Sequence, residues 1–217
     1  MIEFIAEKFN EGGILVMSSI TFTLFFAILL VIHRAYCYWF KFDQKNASGF
    51  MAAIQKFVMN NSIENAIRLC KKARPAILPQ VLAEGLKRAN DSTEEIDNAL
   101  DHATLKAVPK IQAWLGFLGT LANVATLLGL LGTLFGLMHS FDAAATQQGA
   151  EKQEALAAGI AEALTATSYG LGTALLCLFF FGVLQMKQTK ILDEINQYSS
   201  KLHDLLYTRK MKLKSDD

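Results

Sequence analysis

The sequence predicts an all-α integral membrane protein with three transmembrane helices, N-terminus outside and C-terminus inside, whose second and third helices extend into a helical cytoplasmic domain. Three observations predict it. First, only 19% of the 217 residues are charged and 52% are hydrophobic, with a mean hydropathy of +0.27, whereas soluble domains carry about 25% charged residues. Second, the apolar residues gather in three runs, 12–32, 111–141 and 155–186, and Glu162 is the one formal charge inside them. Each run reaches the roughly 20 residues that a helix needs to cross a bilayer core of about 30 Å. Third, of 21 lysines and arginines, twelve fall in 34–110 and seven in 187–217. By the positive-inside rule those two segments are cytoplasmic.

The elements follow in order. Residues 1–13 form an external segment and 14–34 the first span. That span is no cleavable signal, because Glu3, Glu7 and Glu11 precede it in place of a basic stretch. It closes on His33-Arg34 and then Tyr36, Tyr38 and Trp39, an aromatic belt beside a basic residue at the cytoplasmic interface. Residues 35–110 read as a helical domain. Asn61-Ser62-Ile63-Glu64 and Ser92-Thr93-Glu94-Glu95 resemble helix N-terminal caps. Pro75 and Pro79 separate a helix over 62–73 from one near 80–89. From Thr93 the helical pattern runs past Pro109 into the second span, 111–139, with a bend expected at the proline. A short external loop, 140–157, leads to the third span, 158–185. The tail, 186–217, continues as a helix through Ile191, Ile195, Tyr198, Leu202 and Leu205 at helical spacing, and LKSDD should fray.

Several functional classes find no support. Cys37, Cys70 and Cys177 show no metal-ligand spacing, and the four histidines are scattered. No nucleophile–base pair or phosphate-cradling loop is present, so neither an enzyme nor a cofactor is expected. The twelve basic residues of 34–110 face eight acids, which suits a solvated face better than a nucleic-acid patch.

The chemistry lies in the second and third spans. Ala122, Thr126, Gly129, Thr133, Gly136 and Ser140 share one helical face of the second. Gly159, Glu162, Ala163, Ala166, Thr167, Gly170, Thr173, Ala174 and Cys177 share an arc of the third. Small residues let helices pack closely in lipid, and GTLFG at 132–136 is a GxxxG match, so packing alone explains much of both stripes. It does not explain an acid with no lysine, arginine or histidine in its own span. Glu162 is 25 residues from Lys187, about 37 Å of helix, which places it near the outer edge of the hydrocarbon. It is either an interfacial acid in water or one that lines a wet cavity and meets a cation. Thr133 and Thr167 lie deeper, where hydroxyls can relay protons or replace waters.

GLLGTLFGLMHSF (129–141) followed by GIAEALTATSYGLGTAL (159–175) resembles the paired motifs of the MotA/TolQ/ExbB proton channel family. The resemblance covers essentially the whole chain and is most specific over 107–185. It is closer to the TolQ/ExbB branch than to four-span MotA. It implies a homo-pentamer whose second and third spans line a pore holding a dimer of a single-span ExbD/TolR-like protein with a membrane aspartate. It further implies an ion-conducting stator-type subunit of an inner-membrane motor in a Gram-negative-type bacterium. Such a motor acts on periplasmic or outer-membrane partners, including a TonB/TolA-like or motility effector. Carried over by motif, Glu162 stands at the glutamate of GIAEAL, Thr133 at the threonine of GLLGT and Thr167 at that of the EALxAT run. Thr126, Gly129, Gly136, Ala163, Ala166, Tyr169, Gly170 and Thr173 would line the pore or face the partner. Ser168-Tyr169 and Asn123 depart from the family pattern and bear on ion choice, proton or sodium. The alternatives are a subunit of a small-solute transporter and a passive membrane scaffold.

Overall fold

The structure, a computed structural model, describes residues 13–43, 46–73 and 75–215. The expectations placed on Glu3, Glu7, Glu11 and the last two residues of LKSDD lie outside them. The described residues are helical almost throughout: α1 Ile14–Tyr36, a π-helical turn Cys37–Phe42, α2 Ala47–Met59, α3 Ile63–Lys72, α4 Ile77–Lys87, α5 Thr93–Gln112, α6 Leu115–Thr146 and α7 Gly149–Ser215. Three helical stretches are long and apolar enough to cross a membrane, in α1, α6 and α7. The apolar runs end where polar residues begin, not where the helices do. α6 and α7 therefore run on until only Gln147 and Gln148 separate them. The chain divides into two compact units, one of 13–33 with 114–183, the other of 34–113 with 184–215.

In the first unit, small residues set the packing of α6 on α7. A Cβ on Gly129 would stand 3.2 Å from the Gly170 Cα, and one on Gly170 only 2.7 Å from the Ala125 carbonyl oxygen. Backbone thus meets backbone, as lipid-embedded helices require when hydrophobic burial cannot hold them together. Gly132 opens room on the other side, where Val16 and Ile20 of α1 pack with Ala166 of α7. The large side chains point outward, among them Leu127, Leu134, Phe141, Leu164, Leu175 and Phe179.

The second unit reverses this. Ile54, Val58, Leu82, Leu86, Ile96, Ile195, Leu202 and Leu206 are almost wholly buried. The tail stripe holds at Ile191, Ile195, Tyr198 and Leu202, but Leu206 rather than Leu205 completes it. Ser92 and Glu95 form the expected reciprocal cap on α5. No such cap forms at Ser62: its hydroxyl turns back to the Asn60 carbonyl, because Asn61 adopts the left-handed conformation (φ 55°) and redirects the chain. α4 begins at Ile77, three residues earlier than the prolines suggest. Pro79 sits in its first turn, where a missing N–H costs nothing. Arg209, near the end of α7, binds Asn61 Oδ1 at 2.5 Å and reaches Asn90 and the Ala89 carbonyl, tying the ends of α2 and α4 to α7.

The helix from Thr93 does not pass into the second span. It ends at Gln112, three residues beyond Pro109, and restarts at Leu115 after Trp114, which takes a left-handed φ of 62°. Ending α5 strips its last carbonyls of helical partners. The Ile111 carbonyl is capped from a distance: Tyr38 donates its hydroxyl at 2.8 Å, and the Arg34 guanidinium donates as well. Arg34 is only 3% exposed, lies 4.5 Å from the Tyr38 ring centroid and brings a cation to a helix C-terminus, where the dipole favours it. Arg34 and Tyr38 thus leave the interfacial belt that the sequence suggests, while Tyr36 and Trp39 remain exposed.

Candidate functional site

The residues singled out in the second and third spans sort into a seam and two flanks. Gly129 and Gly136 of α6 and Ala163, Ala166, Gly170 and Thr173 of α7 are buried in the seam between these helices. Packing accounts for all but the hydroxyl of Thr173.

One flank carries hydroxyls. Gly132 and Ala166 are the seam residues turned toward α1. Thr133 and Thr167 follow them by one residue each, about 100° of helix. In two antiparallel helices that step turns both threonines to the same side, away from α1, and Thr126 falls with them. Thr167 donates to the Gly129 carbonyl at 3.1 Å, a bond from α7 to α6. Thr133 donates to Leu130 at 2.6 Å and Thr126 to Ala122 at 3.1 Å, both within α6. With each proton committed to a carbonyl, these oxygens present lone pairs outward, an arrangement that accepts from water or a cation.

The other flank carries the acid and lies against α1. Glu162 Oε1 stands 2.9 Å from where a Cβ on Gly13 would be, so Gly13 (φ 77°) keeps room for the carboxylate at the start of α1. A helix N-terminus bears partial positive charge. The acid thus lies beside the positive end of α1, although no lysine or arginine occurs in 155–186. Below it the Tyr169 hydroxyl lies 3.2 Å from Thr21 Oγ1. Within one chain, then, Glu162 and Tyr169 are brought together with α1, and Thr126, Thr133 and Thr167 stand on the opposite flank.

α1 also contributes to the site, which the motif pair does not include. Gly13 and Thr21 touch the acid flank, and the run SSITFT at 18–23 was the available signal, since four hydroxyls in six residues of a span is a polar choice. Ser18, Ser19, Thr21 and Thr23 each bond a carbonyl of their own helix.

Comparison with known proteins agrees with the motif pair. The sequence pattern of the MotA/TolQ/ExbB proton channel family matches residues 73–197, which include α4, α5, α6 and the whole apolar part of α7. A biopolymer transport protein, ExbB-like 3 of Synechocystis, is 29% identical over 187 residues, 84% of this chain and 87% of its own length. The Tol-Pal system protein TolQ of Pseudomonas aeruginosa is 28% identical over 138 residues, 64% of this chain and 55% of its own length. The biopolymer transport protein ExbB of Xanthomonas campestris is 27% identical over 124 residues, 57% and 49% of the two chains.

Proposed function

Since the chain belongs to the MotA/TolQ/ExbB proton channel family, on its TolQ/ExbB-like side, we propose that it is the ion-conducting, stator-type subunit of an inner-membrane motor of the ExbB–ExbD or TolQ–TolR kind. In this reading five copies surround a dimer of a single-span partner that carries the titrating aspartate. Protons, with sodium as the alternative, flow down their gradient and drive one ring against the other. The work is delivered to periplasmic or outer-membrane partners. The N-terminus is outside and the second unit is cytoplasmic.

The observation that carries this reading is the state of the span hydroxyls. Thr126, Thr133 and Thr167 have spent their protons on carbonyls and offer only acceptors. Such a wall can replace waters around a cation without competing for its charge. It lacks a deep acid of its own, which is the part an aspartate-bearing partner supplies. Glu162, near the outer edge, raises the local cation concentration at the entrance. A small-solute transporter calls for helices broken at mid-membrane, and α7 is one helix from Gly149 to Ser215.

Native mass spectrometry of the chain, purified in mild detergent with a co-expressed single-span partner, tests the assembly. A pentamer holding two small chains supports the motor, and a monomer indifferent to every such partner ends it. In liposomes containing the complex, Glu162→Gln should leave assembly intact and lower ion flux, and full flux removes the acid's role. Thr133→Val and Thr167→Val should each reduce flux at unchanged charge; unaltered flux returns both threonines to packing.

A further inference from the structure

A phenol and a threonine hydroxyl meet within the apolar part of the first unit, between α1 and α7. Each hydroxyl owns one proton and two lone pairs. Thr21 gives its proton to the Met17 carbonyl at 2.8 Å, so across the 3.2 Å to Tyr169 the phenol must be the donor. Both protons are then committed, and the lone pairs left over meet no donor among the described residues. Thr165, one turn toward the acid, spends its proton on the Ala161 carbonyl at 2.8 Å. Glu162, Thr165 and Tyr169 recur at i, i+3 and i+7, one stripe of α7 about 10 Å long. All three are partly buried, and Thr21 closes the inner end of the stripe. One turn beyond Tyr169 stands the buried hydroxyl of Thr173, and then Leu176 and Phe180, so the polar groups end within one turn of the Tyr169–Thr21 pair.

We propose that Glu162, Thr165, Tyr169 and Thr21 form a cation-accepting ladder on the α1 flank, along which a hydrated monovalent cation reaches the Tyr169–Thr21 pair. It is separate from the threonine flank of Thr126, Thr133 and Thr167. Each hydroxyl already makes one hydrogen bond, so its spare lone pairs are open to a donor rather than unsatisfied, and a species that only donates fits them: water carrying an extra proton, or the water shell of sodium. The purpose of the ladder rests on the ion-conducting reading above, but its hydration does not. The competing view is that the hydroxyl pair merely holds α1 against α7, in which case no water reaches it.

The test uses the full chain with its single-span partner in liposomes. A brief X-ray pulse makes hydroxyl radicals from water, and mass spectrometry then reads which side chains are oxidised. Tyr169 should be oxidised well above the outward-facing Phe179. Thr21→Val should lose much of that labelling, and Thr21→Ser should restore it. Labelling of Tyr169 no stronger than that of Phe179 overturns the ladder, whatever the flux. Tyr169→Phe should lower flux several-fold or change its preference between a proton gradient and a sodium gradient. Unchanged flux and preference with Tyr169 still labelled overturn the ion role. A wild-type complex that is labelled at Tyr169 yet conducts nothing overturns the motor reading and leaves the hydrated ladder standing.

Discussion

The two units solve the packing problem in opposite ways. In the first, glycine and alanine occupy the seam and leucine and phenylalanine face outward; in the second, leucine and isoleucine are buried and lysine and glutamate face outward. The difference is one of solvent. In water, burying apolar area is itself the driving force, about 25 cal/mol per Å², so large side chains belong inside. Lipid is as apolar as leucine and offers no such gain, so close backbone approach and hydrogen bonds must hold the helices. The small-residue seam therefore leaves polar groups such as Thr167 able to reach a backbone carbonyl of the next helix, as its bond to Gly129 does.

Substitutions can break this contrast, and the largest effect belongs to the second unit. Leu202→Ala empties a fully buried site and should cost about 2–5 kcal/mol, whereas Leu175→Ala on the outward face of α7, 68% exposed, should cost little. Reversible unfolding followed by tryptophan fluorescence compares them; equal losses would erase the distinction. In the first unit the sensitive change is the addition of volume. Gly170→Ala drives a methyl group against the Ala125 carbonyl and the Gly129 Cα, an overpacking cost of about 1–3 kcal/mol. Gly172→Ala, with open space around it, serves as the control and should be neutral or slightly stabilising.

Arg34→Met comes next, at about 1 kcal/mol, because Tyr38 still caps the Ile111 carbonyl after the guanidinium is lost. Increased amide exchange at the end of α5 would report the loosened cap, and unchanged exchange would count against the capping role. The smallest effect is at Glu194. Burial and then the Asp43 carboxylate push its carboxyl above the ordinary 4.5, against the pull of Lys190 and Lys187. The folded state thus keeps this proton to higher pH than the unfolded chain does, and its contribution to stability falls as pH rises above about 4.5. Glu194→Gln should remove that fall, with a gain under about 1 kcal/mol at neutral pH that vanishes in acid. Unfolding midpoints against pH check it.

Much of the fold was legible because it is written locally. Uncharged runs mark the spans, helical spacing in the tail marks α7, and Ser92 with Glu95 marks the start of α5. The break at Trp114 was not legible. A left-handed residue is ordinarily sought at glycine, and here a tryptophan adopts it while Pro109 remains inside a helix. The burial of Arg34 followed from the same break, since its partner is a carbonyl left without a helical partner only because α5 ends there. At the candidate site the motif pair named Glu162, Thr133 and Thr167, but helical phase alone could not say which flank α1 covers. That depends on Val16 fitting over Gly132.

Arg34 is also a matter of timing. Its capped carbonyl belongs to a residue 77 positions later in the chain, which a ribosome adding about 5–20 residues per second reaches some 4–15 s afterwards. Through that interval the guanidinium has no helix end to cap and stays in water as a full positive charge bordering the first apolar run. That is when such charges decide how a nascent span is oriented. Only once α5 has been made and has ended can the same side chain be withdrawn from solvent. In the proposed topology, one residue thus serves in succession as an address label during biogenesis and as an internal fastener afterwards.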